Sequence, residues 1–473
     1  MQRLKHRVLV EDHPDYVVPV NISFGSSMID NVECFIYLPR EYSEMPLLSI
    51  RMNQADAQTL GFAHQFSLST NSDNLRGIKI HAPIVAYRKL GKKPGESNYY
   101  VLAEPSDLTI HEYLPSANEE KTQASYLISP STLLMPGFLS IESHTGDVNI
   151  CSAQSLTVPI DQHRSVRFIN HFKYFPQENE NKRSSPVVVG EIISDTKYEP
   201  SALMDWMDEF MILTSFAERR RCVCLGRLEA TASGITRYYR TKMAFADNAE
   251  GSYSNTLIDD LDFKDFASSA RESFGNGPTA RAYRQIMNVL ISSIDLTIES
   301  SFIAIFSALE TIVTVYATEK NNSNIIPEAD FRRLRHEFGK WLKEQEYVPI
   351  EKQNMIIRKI QELNRPPLAE RIRYFIENIG IVIDDLWPIF DNSNNKTSLS
   401  GIRNSLVHGG LNDRASMEAL SVAGMHLRWI VERCLLRLLG WPVERSQVSE
   451  RKLVQFLPYR EWGKYRSGLS SNN

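Results

Sequence analysis

A chain of 473 residues with a net charge of −4 and a pI near 6.3 is not a uniformly basic nucleic-acid binder. Any RNA contact must therefore come from a local basic patch. Hydrophobic residues make up 42% and charged residues 23%, which excludes a disordered or low-complexity protein, and the length suits two domains, or three with a small insertion. Five scattered cysteines, Cys34, Cys151, Cys222, Cys224 and Cys434, are odd in number and predict reduced thiols in a cytoplasmic protein. Met1–His6 leads into no apolar core of signal-peptide length, and no run approaches the length of a membrane span, so no membrane partner is expected.

Residues 1 to about 200 read as strands. Val17–Phe24 and Asn31–Leu38 alternate apolar and polar residues with period two, and similar runs follow at Ile78–Tyr87, Tyr99–Leu102, Val166–Phe172 and Val187–Ile193. Turn signals separate them, among them Phe24-Gly25-Ser26-Ser27 and His144-Thr145-Gly146-Asp147. An antiparallel sandwich or barrel is the expected product. At Ser201 the period changes. Leu203, Trp206, Met207, Phe210, Met211, Leu213 and Phe216 form a helical apolar face, closed by Arg219-Arg220-Arg221. That triplet reads as a solvated helix terminus or, less simply, as an RNA contact. Strands at Cys222–Ala230 and Thr236–Ala244 come next, then a polar loop over 246–258 and a connecting helix at Leu261–Phe274. Cys222 and Cys224 share one strand face, but with no second ligand cluster they make a poor metal site. Gly275–Pro278 marks the boundary between a β-rich domain of residues 1–275 and a helical one of 279–473, so the fold class is α+β.

The second domain is helical throughout: Arg281–Ile294, Ile298–Thr318, Phe331–Gln345, Ile350–Leu363, Leu368–Ile379 and Ser416–Leu439 all carry helical periodicity. A polar loop over 391–396 precedes Arg403-Asn404-Ser405-Leu406-Val407-His408, which Gly409-Gly410 closes. Leu399, Ile402 and Leu406 recur at helical spacing, so these residues form the end of a short helix with His408 at its C-terminus. At about 100° per residue, Asn404 and His408 lie roughly 40° apart, whereas Arg403 falls about 140° from His408. One helix therefore aims the arginine and the histidine at different places, and two facing copies could gather both around one cleft.

A histidine exchanges a proton near neutral pH. An arginine binds phosphate oxygens through its planar fork. A neighbouring amide can orient either. These types suit attack of a ribose 2′-hydroxyl on its own 3′-phosphate, which needs no metal. The plainer reading is a surface arginine and a histidine that caps the last helix carbonyls.

The stretch resembles the signature of the HEPN superfamily, an arginine, a polar residue, a short gap and a histidine. Phe302–Glu310, with its internal Leu309-Glu310, resembles the long helix of HEPN domains in ApeA-type anti-phage defence proteins. The β-rich half looks like that family's N-terminal domain. The resemblance is specific over about residues 279–440 and suggestive elsewhere. It implies a metal-independent endoribonuclease of abortive infection, with Arg403 as phosphate clamp, Asn404 as orienter and His408 as acid or base. It also implies no cofactor, RNA such as tRNA loops as substrate, a homodimer through the HEPN domain, and an N-terminal domain that senses a phage-derived trigger or restrains the nuclease. The alternative within the family is a non-catalytic nucleotide-binding or scaffold module.

Supporting residues divide between roles in the same way. Glu310 sits in an apolar helix, where an unpaired carboxylate is costly, so it either pairs with Arg403 or faces solvent. Arg332, Arg333, Arg335 and His336 form a basic cluster that reads as an exposed helix face or as a phosphate grip. His426 reads as a satisfied structural histidine, and Asp384-Asp385 as a weak metal candidate. The C-terminal segment carrying Arg451, Lys452, Arg460, Lys464 and Arg466 reads as a solvated basic tail or as a backbone contact to RNA.

Overall fold

The computed structural model describes residues 14–470 except 39–45, 61–64, 71–77, 93–96, 114–122, 130, 135–139, 145–146, 152–154, 174–184, 195–197, 232–233, 241–255, 275–277, 321, 346, 392–396 and 409–413. The expected turn at Thr145-Gly146, the loop over 246–255, the Gly275–Gly277 stretch, most of the 391–396 loop and the double glycine Gly409-Gly410 lie outside the described residues. The chain divides into two compact units, Met1–Ser254 and Asn255–Asn473.

The first unit is built on a 13-stranded antiparallel sheet among the described residues. Its strands are β1 (Tyr16–Phe24), β2 (Ser27–Tyr37), β3 (Leu47–Met52), β4 (Phe66–Thr70), β5 (Ile78–Lys92), β6 (Tyr99–Pro105), β7 (Asp107–Tyr113) and β8 (Gln123–Ile128). A separate hairpin, β9 (Ser140–His144) with β10 (Asp147–Cys151), follows. The sheet resumes with β11 (Leu156–Pro159), β12 (Arg164–Lys173), β13 (Ser185–Ser194), β14 (Cys224–Thr231) and β15 (Gly234–Arg240). β1 and β2 make the tight hairpin that their alternation predicts, and Gly25 at its tip takes φ of 56°, where a side chain would be strained.

β5 determines the topology. One edge pairs with β4; along the other, its start pairs with β7 and its remainder with β6. The order β5-β4-β1-β2-β3-β6 then closes back on β5 as a barrel, while β7 leads out through β15, β14, β8, β13, β12 and β11. Ser106, between β6 and β7, stays tied to β5 by its backbone N–H, which donates to the Pro83 carbonyl at 2.8 Å. Register shifts in β5 at Ile84/Ala86 and Lys89/Gly91 mark the bulges that such bending requires. The barrel core is filled by alternate residues, Val18, Val20 and Ile22 of β1 against Cys34, Ile36, Ile50, Leu68 and Val101. On the open sheet, Phe210 of helix α2 (Ala202–Glu218) stacks on Phe168, and Trp206 stacks on Phe210. Arg219 ends that helix in the left-handed region, and Arg220 lies 3.2 Å from the buried Glu218 carboxylate.

The second unit is helical, from α3 (Asp260–Ser273), α4 (Pro278–Ser292) and α5 (Ile298–Glu319) through α6 (Glu328–Lys343), α7 (Ile350–Ile360), α8 (Leu368–Ile379), α9 (Leu399–Val407) and α10 (Arg414–Leu438) to α11 (Glu450–Leu453) and α12 (Leu457–Ser470). α5 is its centre, burying Phe302, Ile305, Phe306, Leu309, Ile312 and Val313. Removing each such side chain from water contributes about 1.5–3 kcal/mol. By length and composition α5 could cross a membrane, against the expectation that no run comes near that length. Its buried side packs among α4, α8 and α10, and 39% of the apolar span is buried.

Two further features differ from the reading of the sequence. The connecting helix α3 belongs to the helical unit, so the division falls before it and not at Gly275–Pro278. Phe263, Phe266 and Ala270 are buried, Phe266 meets Trp441 edge-on at 5.6 Å, and Ser269 donates to the Leu439 carbonyl at 3.2 Å. The basic C-terminal segment is not a loose tail. It forms α11 and α12, and α12 docks through Tyr459, Trp462 and Arg466.

Candidate functional site

α9 is short, and its entry is fixed at several points. Ser398 caps it, its hydroxyl accepting from Gly401 N–H at 3.1 Å, an interaction that contributes about 1 kcal/mol. The next free amides are also satisfied, Leu399 donating to the Pro388 carbonyl at 3.0 Å and Ser400 to the Ile389 carbonyl at 2.9 Å. Trp387 Nε1 donates to the Thr397 carbonyl at 2.8 Å, and Arg466 of α12 donates from Nε to the Thr397 hydroxyl at 3.1 Å and pairs with Asp391. Leu399 and Ile402 are buried. The start of α9 is thus held by the bundle, and its last turn reaches the surface.

That last turn carries the expected residues. His408 is the C-terminal cap, with its backbone N–H on the Asn404 carbonyl at 3.1 Å, and both residues are exposed. Among the described residues nothing hydrogen-bonds the His408 ring. Arg403 points back toward α5. Its Nη2 lies 3.7 Å from Glu310 Oε1, its guanidinium sits 6.0 Å from the Phe306 ring centroid, and Nη1 donates to Asn404 Oδ1 at 3.2 Å. Arg403, Asn404 and Glu310 therefore form one contact group, with His408 one turn further along the same helix.

Glu310 combines the two roles read from the sequence, since it contacts Arg403 while its side chain stays 29% exposed, against 35% for Arg403. A half-exposed pair at that distance contributes at most about 1 kcal/mol. It aims the guanidinium without locking it, so a phosphate can replace the carboxylate.

The cluster on α6 is differently disposed. Arg332 pairs with Glu328 at 3.3 Å and Arg333 with Glu337 at 3.2 Å, both exposed contacts within the helix. Arg335 is half-buried and His336 exposed. No hydrogen bond or ion pair joins this cluster to Arg403, Asn404 or His408 among the described residues.

The remaining candidates are structural. His426 is buried among Trp387, Trp429, Tyr459 and Trp462. Burial pushes its pKa down to about 4, although the Pro458 carbonyl and Asp385 favour the charged form. Asp385 is taken by Arg433 in a two-pronged pair, both contacts at 2.7 Å, and by the Tyr459 hydroxyl at 2.9 Å. Burial would raise the Asp385 pKa, but the Arg433 hydrogen bonds and charge outweigh it and hold the carboxyl low. Cys222 and Cys224 are buried free thiols whose pKa values burial raises. Among the described residues no group of three or more His, Cys, Asp or Glu is arranged to hold a metal ion.

Arg371 of α8 also reaches α5: its Nη1 donates to the Thr314 hydroxyl at 3.2 Å, and among the described residues its enclosed Nε has no partner. Nothing in the sequence distinguishes it from Arg365 and Arg373 nearby, so only the packing of α8 on α5 could have drawn attention to it.

No family model, curated protein or solved structure matches the chain.

Proposed function

We propose that the chain is a metal-independent endoribonuclease of the HEPN type, acting in the cytoplasm in anti-phage defence by abortive infection. The observation that carries this reading is the end of α9, where Arg403 is aimed but not locked by Glu310 while His408, one turn away, is exposed and has no ring hydrogen bond among the described residues. In the proposed reaction His408 accepts the proton of a ribose 2′-hydroxyl, the 2′-oxygen forms a bond to its own 3′-phosphorus, and the bond from phosphorus to the 5′-oxygen breaks. Arg403 stabilises the charge that develops on the phosphoryl oxygens, and Asn404 orients the group. The leaving oxygen takes a proton, and the products are a 2′,3′-cyclic phosphate and a 5′-hydroxyl. The nucleophile is already attached to the substrate, so no metal-bound water has to be generated. Single-stranded loops such as those of tRNA suit this reaction, because their backbone can be splayed for in-line attack.

Arg403 and His408 diverge around α9, and Val407 between them is an exposed apolar residue. Both support a homodimer in which two copies of α9 face each other and each complete site draws on both chains. In this reading the first unit senses a phage-derived trigger or restrains the second.

The divergence also favours a second reading, since an arginine aimed away from its histidine can hold a nucleotide phosphate without any reaction. Incubation of the full chain with total RNA, beside a His408→Ala control, separates the two. Cleavage lost in the variant supports the nuclease. Thermal stabilisation by nucleotides without cleavage supports a binding module and sinks the nuclease.

A further inference from the structure

Phe306, Glu310 and Thr314 follow one another at intervals of four along α5, so they form a single ridge. Arg403 lies over the Phe306 and Glu310 positions, and Arg371 reaches the same ridge at Thr314. The positions the two arginines touch are one turn apart, about 6 Å. Their electrostatic circumstances differ. Arg403 has the Glu310 carboxylate beside it, whereas no carboxylate among the described residues lies within ion-pair range of Arg371. Arg371 is half-buried, and among the described residues its one hydrogen bond runs to a neutral hydroxyl and its enclosed Nε has no partner. The guanidinium therefore reaches the surface at Thr314 with no carboxylate beside it, and a planar fork so placed can take its counter-ion from a phosphate.

We propose that Arg371 is a second phosphate-binding residue of the same site, so that α5 carries a track of two guanidiniums along which a single RNA strand lays consecutive phosphodiesters. Arg403 takes the phosphate that reacts, and Arg371 takes a neighbouring one. This rests on the RNA-cleaving reading for the identity of the strand, and it extends that reading to substrate length. The site then requires more than one phosphate to bind well, and a lone nucleotide occupies only part of it. Arg371 is a positioning residue. It touches the substrate backbone away from the bond that breaks, so it governs binding more than turnover.

The test uses the full chain carrying His408→Ala, so that bound RNA is not consumed, and fluorescein-labelled single-stranded RNAs of increasing length. Affinity is expected to step up when a second phosphate is added. Arg371→Gln in this background should weaken binding of the longer RNAs about tenfold and reduce the slope of log affinity against log salt by about one, whereas Arg371→Lys should restore much of the affinity because a phosphate accepts either cation. Thermal unfolding of the Gln variant should stay near that of the parent. In the cleaving protein, Arg371→Gln should raise KM and leave kcat within about twofold. Unchanged affinity and salt slope in a folded Arg371→Gln protein overturns the proposal. So does an affinity that is flat with RNA length in the parent, a comparison that needs no Arg371 variant to fold. The two readings fail separately. A protein that cleaves RNA equally well with and without Arg371 keeps the nuclease and loses the track. A parent that never cleaves RNA, but whose RNA binding falls in Arg371→Gln, keeps the track and loses the nuclease.

Discussion

His426 Nδ1 accepts the backbone N–H of Trp387 at 3.1 Å, which leaves Nε2 to carry the proton and donate to the Pro458 carbonyl at 3.2 Å. One neutral tautomer thereby ties α10 both to the loop that enters α9 and to the start of α12, and a proton added at Nδ1 removes its bond to Trp387.

The consequence is a stability that depends on pH. In the unfolded chain His426 titrates near its ordinary 6.5, and in the fold near 4, so the unfolded state binds more protons between those values. Stability is therefore full above about pH 6.5 and is lost as pH falls toward 4, by up to about 3 kcal/mol. Asp385, whose pKa is lowered in the fold, loses its contribution in a more acidic window below the ordinary carboxylate value. Urea unfolding followed by tryptophan fluorescence at pH 7 and pH 4.5 should show the loss, and a folded His426→Asn protein should show much less of it. Equal midpoints at the two pH values in the parent would contradict the assignment.

A second prediction concerns the chemistry. Because the 2′-hydroxyl is the nucleophile, cleavage should persist in excess EDTA, leave 2′,3′-cyclic phosphate and 5′-hydroxyl ends, and spare an all-DNA strand. His408→Ala should lower kcat by about 100-fold or more, the usual reach of a lost acid–base group. Chelator-sensitive cutting, or cutting of DNA, rules this mechanism out.

A third prediction concerns the divergence of Arg403 and His408. Arg403→Ala and His408→Ala should each be inactive as homodimers. A heterodimer purified through two tags retains one Arg403 and one His408 on opposite chains, which completes one shared site. It should recover a measurable fraction of parental cleavage. A folded heterodimer that stays inactive disposes of the shared site, though a HEPN-type nuclease with its site in one chain could survive it.

The fourth prediction follows from the placement of α3. A fragment of residues 255–473 should be helical by circular dichroism and unfold cooperatively. A fragment of residues 279–473 lacks the buried Phe263 and Phe266, each of which contributes several kcal/mol when its cavity cannot close, and should be markedly less stable. Equal stability of the two fragments would show that α3 is dispensable to the bundle.

Much of this architecture can be read from the sequence, but only where local pattern decides it. The β1–β2 hairpin follows from alternation around Gly25, and α9 follows from Leu399, Ile402 and Leu406. β3 is harder, because Leu-Leu-Ser-Ile-Arg-Met is buried at all but one position and shows no alternation. The double pairing of β5 is invisible locally, since one strand cannot announce that its start and its end serve different partners. The same limit applies to the site. Arg403, Asn404 and His408 come from one short run, whereas the approach of Arg403 to Glu310 and the presence of Arg371 depend on how α8 and α9 pack on α5. α12 shows the limit from the other side. Its basic residues suggest a solvated end, yet Tyr459, Trp462 and Arg466 find partners that only the fold supplies.

The dual allegiance of β5 also bears on how the first unit can be handled. A chain cut after Tyr113 contains all the strands that close the barrel, yet it strips β15 from β7. The bared strand Asp-Leu-Thr-Ile-His-Glu-Tyr would then present unpaired amides and carbonyls to other molecules, the condition that invites edge-to-edge aggregation. Shortening the protein to its barrel would therefore create a sticky margin, and because removing β7 would in turn bare the start of β5, a soluble truncation would need the free edge of β7 blocked by a lysine or proline.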